Sequence, residues 1–238
     1  MYLQERLDVF KATFESGRPP YNLPRSAVDT IDRATRELIA SGLGDRAKRV
    51  GDIPPGFVLR DPDQRPVSSR KLVADGPLVL TFYLGIWCPY CNLDLQALQQ
   101  AFPDIVARGA SLMAISPQNA VNSRKTIDRN HLNFLVLGDP RGELSAAYGL
   151  RFSLPDYLVD LYLNTLGTDL SSFNDDPSWT LPMPARFVIG KDGVIAYAEV
   201  NPDYTKRPDP TELFPVLDRL AAKGQMAHSS LHGLKEKR

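Results

Sequence analysis

The chain has 238 residues, of which 43% are hydrophobic and 24% charged, a composition typical of a folded globular protein rather than a disordered one. Its 28 Lys and Arg residues balance 28 Asp and Glu residues, so no net charge would attract nucleic acid or an anionic membrane. The chain lacks an apolar run of the roughly 18–20 residues that cross a bilayer, and Glu5 and Asp8 stand where a signal peptide would be apolar. We therefore expect a cytoplasmic protein with no nucleic-acid partner and no membrane partner.

Residues 1–50 predict an N-terminal helical extension. Apolar residues recur at helical spacing from Leu3 to Phe14 and again from Val28 to Leu38, with Gly and Pro residues between the two runs. We interpret the extension as a helical layer packed on the main domain, and a dimerisation arm is the alternative interpretation.

The next hundred residues predict alternating strands and helices. These elements are, in chain order, a hairpin of Phe57 to Arg60 with Pro66 to Ser68, a strand from Pro77 to Leu84, a helix from Cys88 to about Arg108, a strand from Ala110 to Ser116, a helix from Asn119 to Asn130, a strand from Asn133 to Leu137 and a short helix from Glu143 to Tyr148. Such β-α-β-α alternation implies parallel strands joined by crossover helices, and therefore an α/β fold.

The remaining residues predict an insertion, a hairpin, a helix and a tail. Residues 151–182 show the least regular pattern and are interpreted as an insertion. Residues 186–200 predict a β-hairpin, because its Asp192-Gly193 pair is a strong turn signal. A helix from Thr211 to Ala222 closes a main domain of residues 51–223, and residues 224–238 predict a flexible tail.

Two cysteines, Cys88 and Cys91, lie at a predicted strand-to-helix junction. A disulfide-stapled scaffold would use more cysteines, and His131, His228 and His232 are poorly placed to complete a zinc site, so we expect no metal and no cofactor. Backbone N–H groups at a helix start stabilise a thiolate. The spacing therefore predicts Cys88 as a nucleophile of lowered pKa and Cys91 as the resolving thiol.

The residues around the pair support this interpretation. Pro89 suits the first helical position because its missing N–H costs nothing there, and Trp87 shields the thiol. Phe82 stands six residues before Cys88, and no His or carboxylate close in sequence would serve as a base. We therefore expect activation from the helix start, or from a distant group such as Arg186. Two small cysteines packed in a core are the structural alternative.

Four stretches of the chain carry a family resemblance: TFYLGIWCPYCNLDLQAL at 81–98, AISPQN at 114–119, GDP at 138–140 and PMPARFVIGKDGVIAYAEVNPDYTKR at 182–207. They resemble the AhpC/TSA peroxiredoxin-like proteins of the thioredoxin superfamily. The resemblance covers about residues 50–222 and implies a thioredoxin-like fold with a central mixed sheet. It also implies that Pro184, after Met183, is a cis-proline facing the cysteine pair. Trp87, Pro89, Tyr90, Met183, Pro184 and Arg186 are the expected substrate-orienting residues.

The sequence departs from the typical family site at two positions. Members usually carry Thr or Ser three residues before the reactive Cys and an Arg at the later strand, and here these positions hold Gly85 and Pro184. Because both donors to the peroxide oxygens are missing, we expect slow peroxide turnover. A Cys at the position of Cys91 is instead the thioredoxin arrangement.

Three functions are compatible with these observations. The leading one is a thiol-dependent antioxidant enzyme, in which a hydroperoxide converts Cys88 to a sulfenic acid, Cys91 condenses with it, and a thioredoxin or glutathione-type reductant resets the pair. The second is a protein-disulfide oxidoreductase whose substrate is a disulfide. The third is a non-catalytic interaction module on a thioredoxin scaffold, and a homodimer is left open in each case.

Overall fold

A computed structural model describes residues 2–223, and the predicted flexible tail at 224–238 lies outside the described residues. The strands are β1 (Val58–Arg60), β2 (Pro66–Ser68), β3 (Leu78–Phe82), β4 (Ser111–Ser116), β5 (Leu135–Gly138), β6 (Arg151–Ser153), β7 (Thr180–Pro182), β8 (Ala185–Ile189) and β9 (Ile195–Val200). The α-helices are α1 (Leu3–Phe14), α2 (Arg25–Ala40), α3 (Ser69–Asp75), α4 (Pro89–Ala107), α5 (Ala120–Asn130), α6 (Glu143–Ala147), α7 (Asp156–Asn164), α8 (Leu170–Asn174) and α9 (residues 214–223).

Seven strands form a mixed sheet in the order β2-β1-β5-β4-β3-β8-β9. The three central strands β3, β4 and β5 are parallel, with α4 and α5 as the connecting helices, whereas β8 runs antiparallel to β3. β3 is buried along its whole length because helices and loops cover both of its faces, which explains its continuous apolar sequence. The predicted α/β class and the mixed central sheet are confirmed.

The core lies on both faces of this sheet. Side chains of a strand point alternately to opposite faces, and β3 follows this rule. Val79 packs on one face with Leu95 of α4 and Leu7 of α1, while Leu80 and Phe82 pack on the other. One helix, α4, therefore both covers the sheet and carries the cysteines at its first turn.

Both predicted N-terminal helices are confirmed, and both lie against the rest of the chain. α1 packs on α4, and its Leu3 and Leu7 are buried in the core. The Leu3 N–H also donates to a carboxylate oxygen of Asp209 at 3.0 Å. α2 packs on α7. These contacts favour the packed layer over a free arm.

Residues 151–182 have more regular structure than the sequence predicts. Strands β6 and β7 pair antiparallel at the two ends of the segment, and α7 and α8 lie between them. Each of these strands has three residues, too few for a period-two pattern to be recognised. The paired ends place α7 beside the turn that carries Cys88, where the Tyr162 and Trp87 rings pack nearly perpendicular to each other with their centroids 5.4 Å apart.

The expected cis bond at Met183–Pro184 is wrong. Within residues 2–223 the cis peptide bond is Pro19–Pro20. The Met183 N–H bonds to the Leu150 carbonyl, and the Pro184 carbonyl accepts from Asn201, so the chain passes from β7 into β8 with strand-like pairing on both sides. An ordinary trans bond satisfies that pairing.

Within residues 2–223, no helix has the length and apolar character needed to span a bilayer.

Candidate active site

The turn between β3 and α4 places Cys88 at the start of a helix. Cys88 is the N-cap residue, and its sulfur accepts a hydrogen bond from the Cys91 N–H at 3.4 Å. Pro89 occupies the first helical position, as predicted, because a residue without an N–H loses nothing there. The apolar strand thus ends and the helix begins within a few residues, which fixes the direction of the Cys88 side chain.

Buried amide side chains hold the loop that precedes Cys88. The Ile86 N–H donates to Oε1 of Gln118 at 2.7 Å, and the Ile86 carbonyl accepts from Nδ2 of Asn92 at the same distance. Asn130 donates in turn to Oδ1 of Asn92 at 2.9 Å. Both backbone groups of Ile86 are therefore satisfied without water, and the backbone beside Cys88 is held in one position.

The two cysteine sulfurs have different surroundings. Cys88 is 2% exposed and lines a cavity, whereas Cys91 is fully buried and faces the interior. The Cys91 sulfur accepts from the Leu84 N–H at 3.4 Å and lies 3.8 Å from Nη2 of Arg207. Access to a substrate is therefore greater at Cys88, and stabilisation of a negative charge is greater at Cys91.

A buried charged cluster stands behind Cys91. Asp94, one helical turn after Cys91, accepts from Nη2 of Arg186 at 2.5 Å and lies 3.7 Å from Nε of Arg207. The three side chains are no more than 5% exposed. Asp94 neutralises part of the positive charge and fixes both guanidinium groups, which is how Arg207 is held against the Cys91 sulfur.

These surroundings shift the pKa values of the two thiols in opposite directions. Burial raises the pKa of Cys88 well above its ordinary value, and the neighbouring Cys91 raises it further. Burial also raises the pKa of Cys91, but the hydrogen bond from the Cys88 thiol and the charge of Arg207 outweigh burial and lower that pKa to about 7. The expected lowered pKa of Cys88 is therefore wrong, because the Cys91 sulfur has more donors and the nearby cation.

Cys88 opens onto a cavity of about 960 Å³ whose walls are mostly aromatic and aliphatic. The N-terminal helices contribute Phe14, Ile31 and Leu38, and the segment 151–182 contributes Leu158 and Tyr162. Drug-sized ligands occupy cavities of roughly 300–1,000 Å³, so this cavity has room for an organic molecule and not only for a molecule of a few atoms.

The comparison with known protein families agrees with this geometry. The model of the AhpC/TSA family matches residues 50–198, which include β3, β4, β5 and the Cys88–Cys91 turn. The chain belongs to the AhpC/TSA family. It is 25% identical over 178 residues to "Peroxiredoxin Q, chloroplastic" of Triticum aestivum, an alignment that covers 75% of this chain and 71% of that protein.

Solved structures with the same fold extend the match. Peroxidoxin BcpB from Mycobacterium tuberculosis superposes with a TM-score of 0.55 at 20% identity, covering 71% of this chain and 96% of that one. Reduced Prx3 from Vibrio vulnificus, in complex with H2O2, gives a TM-score of 0.55 at 16% identity over 71% of this chain and 99% of that one. The predicted thioredoxin-like fold is confirmed, and membership of the AhpC/TSA family confirms the predicted class of thiol peroxidase.

Four of the expected substrate-orienting residues of this AhpC/TSA protein share the cavity with Cys88, and two do not. Trp87, Pro89, Tyr90 and Pro184 line the cavity. Met183 is fully buried outside the lining. The Arg186 guanidinium is held by Asp94 and by the Pro208 carbonyl at 3.0 Å, away from the cavity wall.

The sequence interpretation missed Asp94 and Arg207. Asp94 contradicts the expectation that no carboxylate lies close in sequence, since it follows Cys91 by three residues and therefore lies on the same helix face. Arg207, rather than Arg186, is the distant cation that reaches a cysteine sulfur. It lies 116 positions from Cys91, at the end of the last stretch that carries the family resemblance.

Packing explains why Gly85 stands three residues before Cys88. A Cβ at this position would lie 2.5 Å from Nε1 of Trp87 and 3.2 Å from Oε1 of Gln118. The indole of Trp87 therefore occupies the space that a larger residue at position 85 would need. The missing hydroxyl is a consequence of this packing between Gly85 and Trp87.

Proposed function

We propose that Cys88 reduces hydroperoxides that enter the apolar cavity, and that Cys91 resolves the oxidised Cys88 through a Cys88–Cys91 disulfide. One observation carries this assignment of roles. Cys88 lines the cavity, whereas Cys91 is fully buried with its sulfur 3.8 Å from the Arg207 guanidinium. Only Cys88 is placed to meet a substrate, and Cys91 is placed to hold negative charge beside it.

The lowered pKa of Cys91, which is the third residue of the helix that Cys88 caps, supports a specific order of proton transfers. As the Cys88 sulfur attacks one hydroperoxide oxygen, its proton moves to the Cys91 thiolate, a sulfur–oxygen bond forms and the oxygen–oxygen bond breaks. The leaving alkoxide takes that proton from Cys91 and departs as an alcohol. The peroxide is thereby reduced by two electrons, and Cys88 becomes a sulfenic acid.

The second half of the cycle restores the thiols. The Cys91 thiolate attacks the Cys88 sulfur, the hydroxyl leaves with one proton as water, and the disulfide forms. Cys91 is the third residue of α4 and Cys88 its N-cap, a spacing that places the two side chains on one side of the helix start. An external reductant, either one thioredoxin-type dithiol or two molecules of a glutathione-type monothiol, then reduces the disulfide by thiol–disulfide exchange and is itself oxidised to a disulfide.

The cavity supports an organic hydroperoxide as the substrate. Hydrogen peroxide would fill a small part of about 960 Å³, and the aromatic and aliphatic walls favour burial of an alkyl or aryl group. The similar Vibrio vulnificus protein was solved with H2O2, so both kinds of peroxide should be compared on this chain.

A single-turnover experiment tests the proposal. Reduced protein is mixed with one equivalent of cumene hydroperoxide or hydrogen peroxide without any reductant, and the products are measured by mass spectrometry. We expect one equivalent of cumyl alcohol per chain from cumene hydroperoxide, consumption of one equivalent of hydrogen peroxide in the parallel reaction, and in both a loss of two hydrogens in the peptide that holds both cysteines. Unchanged thiols after this treatment would contradict a peroxidase function.

The burial of Cys88 argues against the disulfide oxidoreductase alternative. A protein disulfide must bring a bulky backbone to the attacking sulfur, and Cys88 is 2% exposed at the wall of a cavity formed partly by α1 and α2. Reduction of insulin faster than reduction of cumene hydroperoxide would reverse this preference.

A further inference from the structure

Two tyrosine hydroxyls on the cavity wall have no hydrogen-bond partner within residues 2–223. Tyr162 and Tyr204 line the same cavity as Cys88, and both side chains are half-buried. Burial and nearby charges, without any hydrogen bond to either hydroxyl, shift their pKa values, and neither hydroxyl oxygen is completely enclosed by protein. A free hydroxyl in this position can donate a hydrogen bond to a molecule that enters the cavity.

The rings of both tyrosines pack on residues that flank Cys88 in the chain. The Tyr162 ring lies nearly perpendicular to the Trp87 ring with the centroids 5.4 Å apart, and the Tyr204 ring packs in the same way on Tyr90 at 5.3 Å. Trp87 directly precedes Cys88, and Tyr90 follows it by two positions. Aromatic packing therefore fixes both phenols beside the cysteine and leaves their hydroxyls free.

The electrostatics of the phenols indicate that their hydroxyls face the cysteine. Burial is the main cause that raises the pKa of Tyr162 and of Tyr204, so both hydroxyls lie inside the cavity rather than on the outer surface. The charge of a Cys88 thiolate raises both pKa values further, and an ionised Tyr162 raises that of Tyr204. Because such interactions weaken with distance, the two hydroxyls and the Cys88 sulfur border one space. The raised pKa values keep both phenols protonated at neutral pH, as donors.

We infer that the hydroxyls of Tyr162 and Tyr204 donate hydrogen bonds to the leaving oxygen of the hydroperoxide while Cys88 attacks the other oxygen. The inference rests on the proposed function and makes both tyrosines catalytic residues. As the sulfur–oxygen bond forms, the oxygen–oxygen bond breaks and its electron pair stays on the leaving oxygen. That oxygen accepts from the two hydroxyls until it takes the proton that Cys91 received from Cys88, and it leaves as alcohol, or as water from hydrogen peroxide.

The two hydroxyls would replace the donors that are missing at Gly85 and Pro184. Tyr162 belongs to α7 and Tyr204 to the loop after β9, so both reach the site from elements other than the turn that carries Cys88. A donor that packing holds in place before the charge develops costs no reorganisation when the bond breaks, and removing one such donor lowers a rate by about 10²–10³-fold. The loss of the typical donors is therefore compatible with peroxide chemistry in this cavity.

Replacement of each tyrosine by phenylalanine tests the inference. Tyr162→Phe, Tyr204→Phe and the double variant keep the rings that pack on Trp87 and Tyr90 and remove only the hydroxyls, which hold no other residue in place. Tyr197→Phe is the control, because Tyr197 lies outside the cavity lining and its hydroxyl has an acceptor of its own, Oε2 of Glu212 at 3.4 Å.

The rates to compare are those of Cys88 oxidation by tert-butyl hydroperoxide, hydrogen peroxide and peracetic acid, with iodoacetamide alkylation as a reaction that has no leaving oxygen. We expect each single variant to slow the reactions of tert-butyl hydroperoxide and hydrogen peroxide by about 10²-fold, and the double variant to slow them further. Peracetic acid should be slowed only a few-fold because acetate leaves without help. Alkylation should be unchanged in all variants, and Tyr197→Phe should match the unmodified protein in all four reactions.

Three results would overturn the inference. Unchanged hydroperoxide rates in the double variant would mean that the hydroxyls take no part in the reaction. An equal loss in all four reactions would mean that the two tyrosines only shape the cavity. Failure of the unmodified protein to react with any peroxide, with normal alkylation, would instead refute the proposed peroxidase function and the inference with it.

Discussion

The two sides of the first turn of α4 differ in access and in charge. On the outer side, Cys88 lies on the wall of a largely apolar cavity. On the inner side, Cys91 is sealed from the cavity and faces Arg207 and Asp94. One side is open to a cavity, and the other places a cation beside a sulfur.

This difference shows how a buried thiol can react without holding the negative charge itself. An apolar wall suits an organic peroxide but opposes a thiolate, since burial disfavours the charged form. Placing the cation beside the second sulfur separates the two requirements, and in the mechanism that we propose the proton of Cys88 passes to the Cys91 sulfur when a substrate is present.

Removing one sulfur at a time should have the largest effect on the reaction with hydroperoxides. Cys88→Ser should abolish reaction with hydroperoxides because it deletes the sulfur that lines the cavity. Cys91→Ser should still react once and then stop as a sulfenic acid, which dimedone labels and mass spectrometry detects. The roles are reversed if Cys88→Ser keeps peroxide reactivity and Cys91→Ser loses it.

The next effect concerns the charged side. Asp94→Asn leaves two buried guanidinium groups without their carboxylate, and loss of one partner of a buried ion pair typically costs about 3–5 kcal/mol. We expect the free energy of unfolding in urea to fall by that order. Asp104→Asn, on the exposed face of the same helix, is the control and should cost less than about 1 kcal/mol. Equal losses in both variants would contradict a structural role for the buried cluster.

The helix start at Pro89 and the turn between β8 and β9 were predictable from the sequence, and the charged cluster of Asp94, Arg186 and Arg207 was not. Pro89 at a helix start and the Asp192-Gly193 turn depend on neighbours in the chain, so short motifs identify them. Arg207 reaches Cys91 through a loop with no periodic pattern, and only the folded sheet brings the two together. The pKa of Cys88 was predicted wrongly for the same reason, because burial and the competing donors of Cys91 are tertiary effects.

Gly85→Ala tests the cavity side alone. Its new methyl group would meet the Trp87 indole, and overpacking of this kind costs about 1–3 kcal/mol. We expect slower reaction with hydroperoxides and an unchanged pKa of Cys91. Thiolate absorbance at 240 nm, recorded during a pH titration, measures this pKa. Gly56→Ala, where the added Cβ meets only the flexible Arg70 side chain, should be neutral. A change in the Cys91 pKa would show that the two sides are not separate.

Arg207→Met tests whether the Arg207 guanidinium lowers the pKa of Cys91. In the unmodified protein Cys91, with a pKa of about 7, is the base that takes the Cys88 proton in the proposed mechanism, so the peroxide rate should rise through pH 7 and reach a plateau above it. Removing the cation raises the pKa of Cys91, moves this rise to higher pH and lowers the rate at pH 7 about tenfold. Lys206→Met, an exposed neighbour paired with Asp8, is the control. An unshifted pH profile in Arg207→Met would show that Arg207 does not lower the pKa of Cys91.

The most direct test follows the two sulfurs separately by nuclear magnetic resonance. Because the chain has two cysteines, labelling cysteine Cβ with ¹³C gives two signals, which the Cys88→Ser and Cys91→Ser variants assign. In a pH titration of the reduced protein, we predict that the Cys91 carbon shifts near pH 7 while the Cys88 carbon shifts only well above its ordinary pKa. A Cys88 carbon that titrates first would contradict the division of access and charge between the two cysteines.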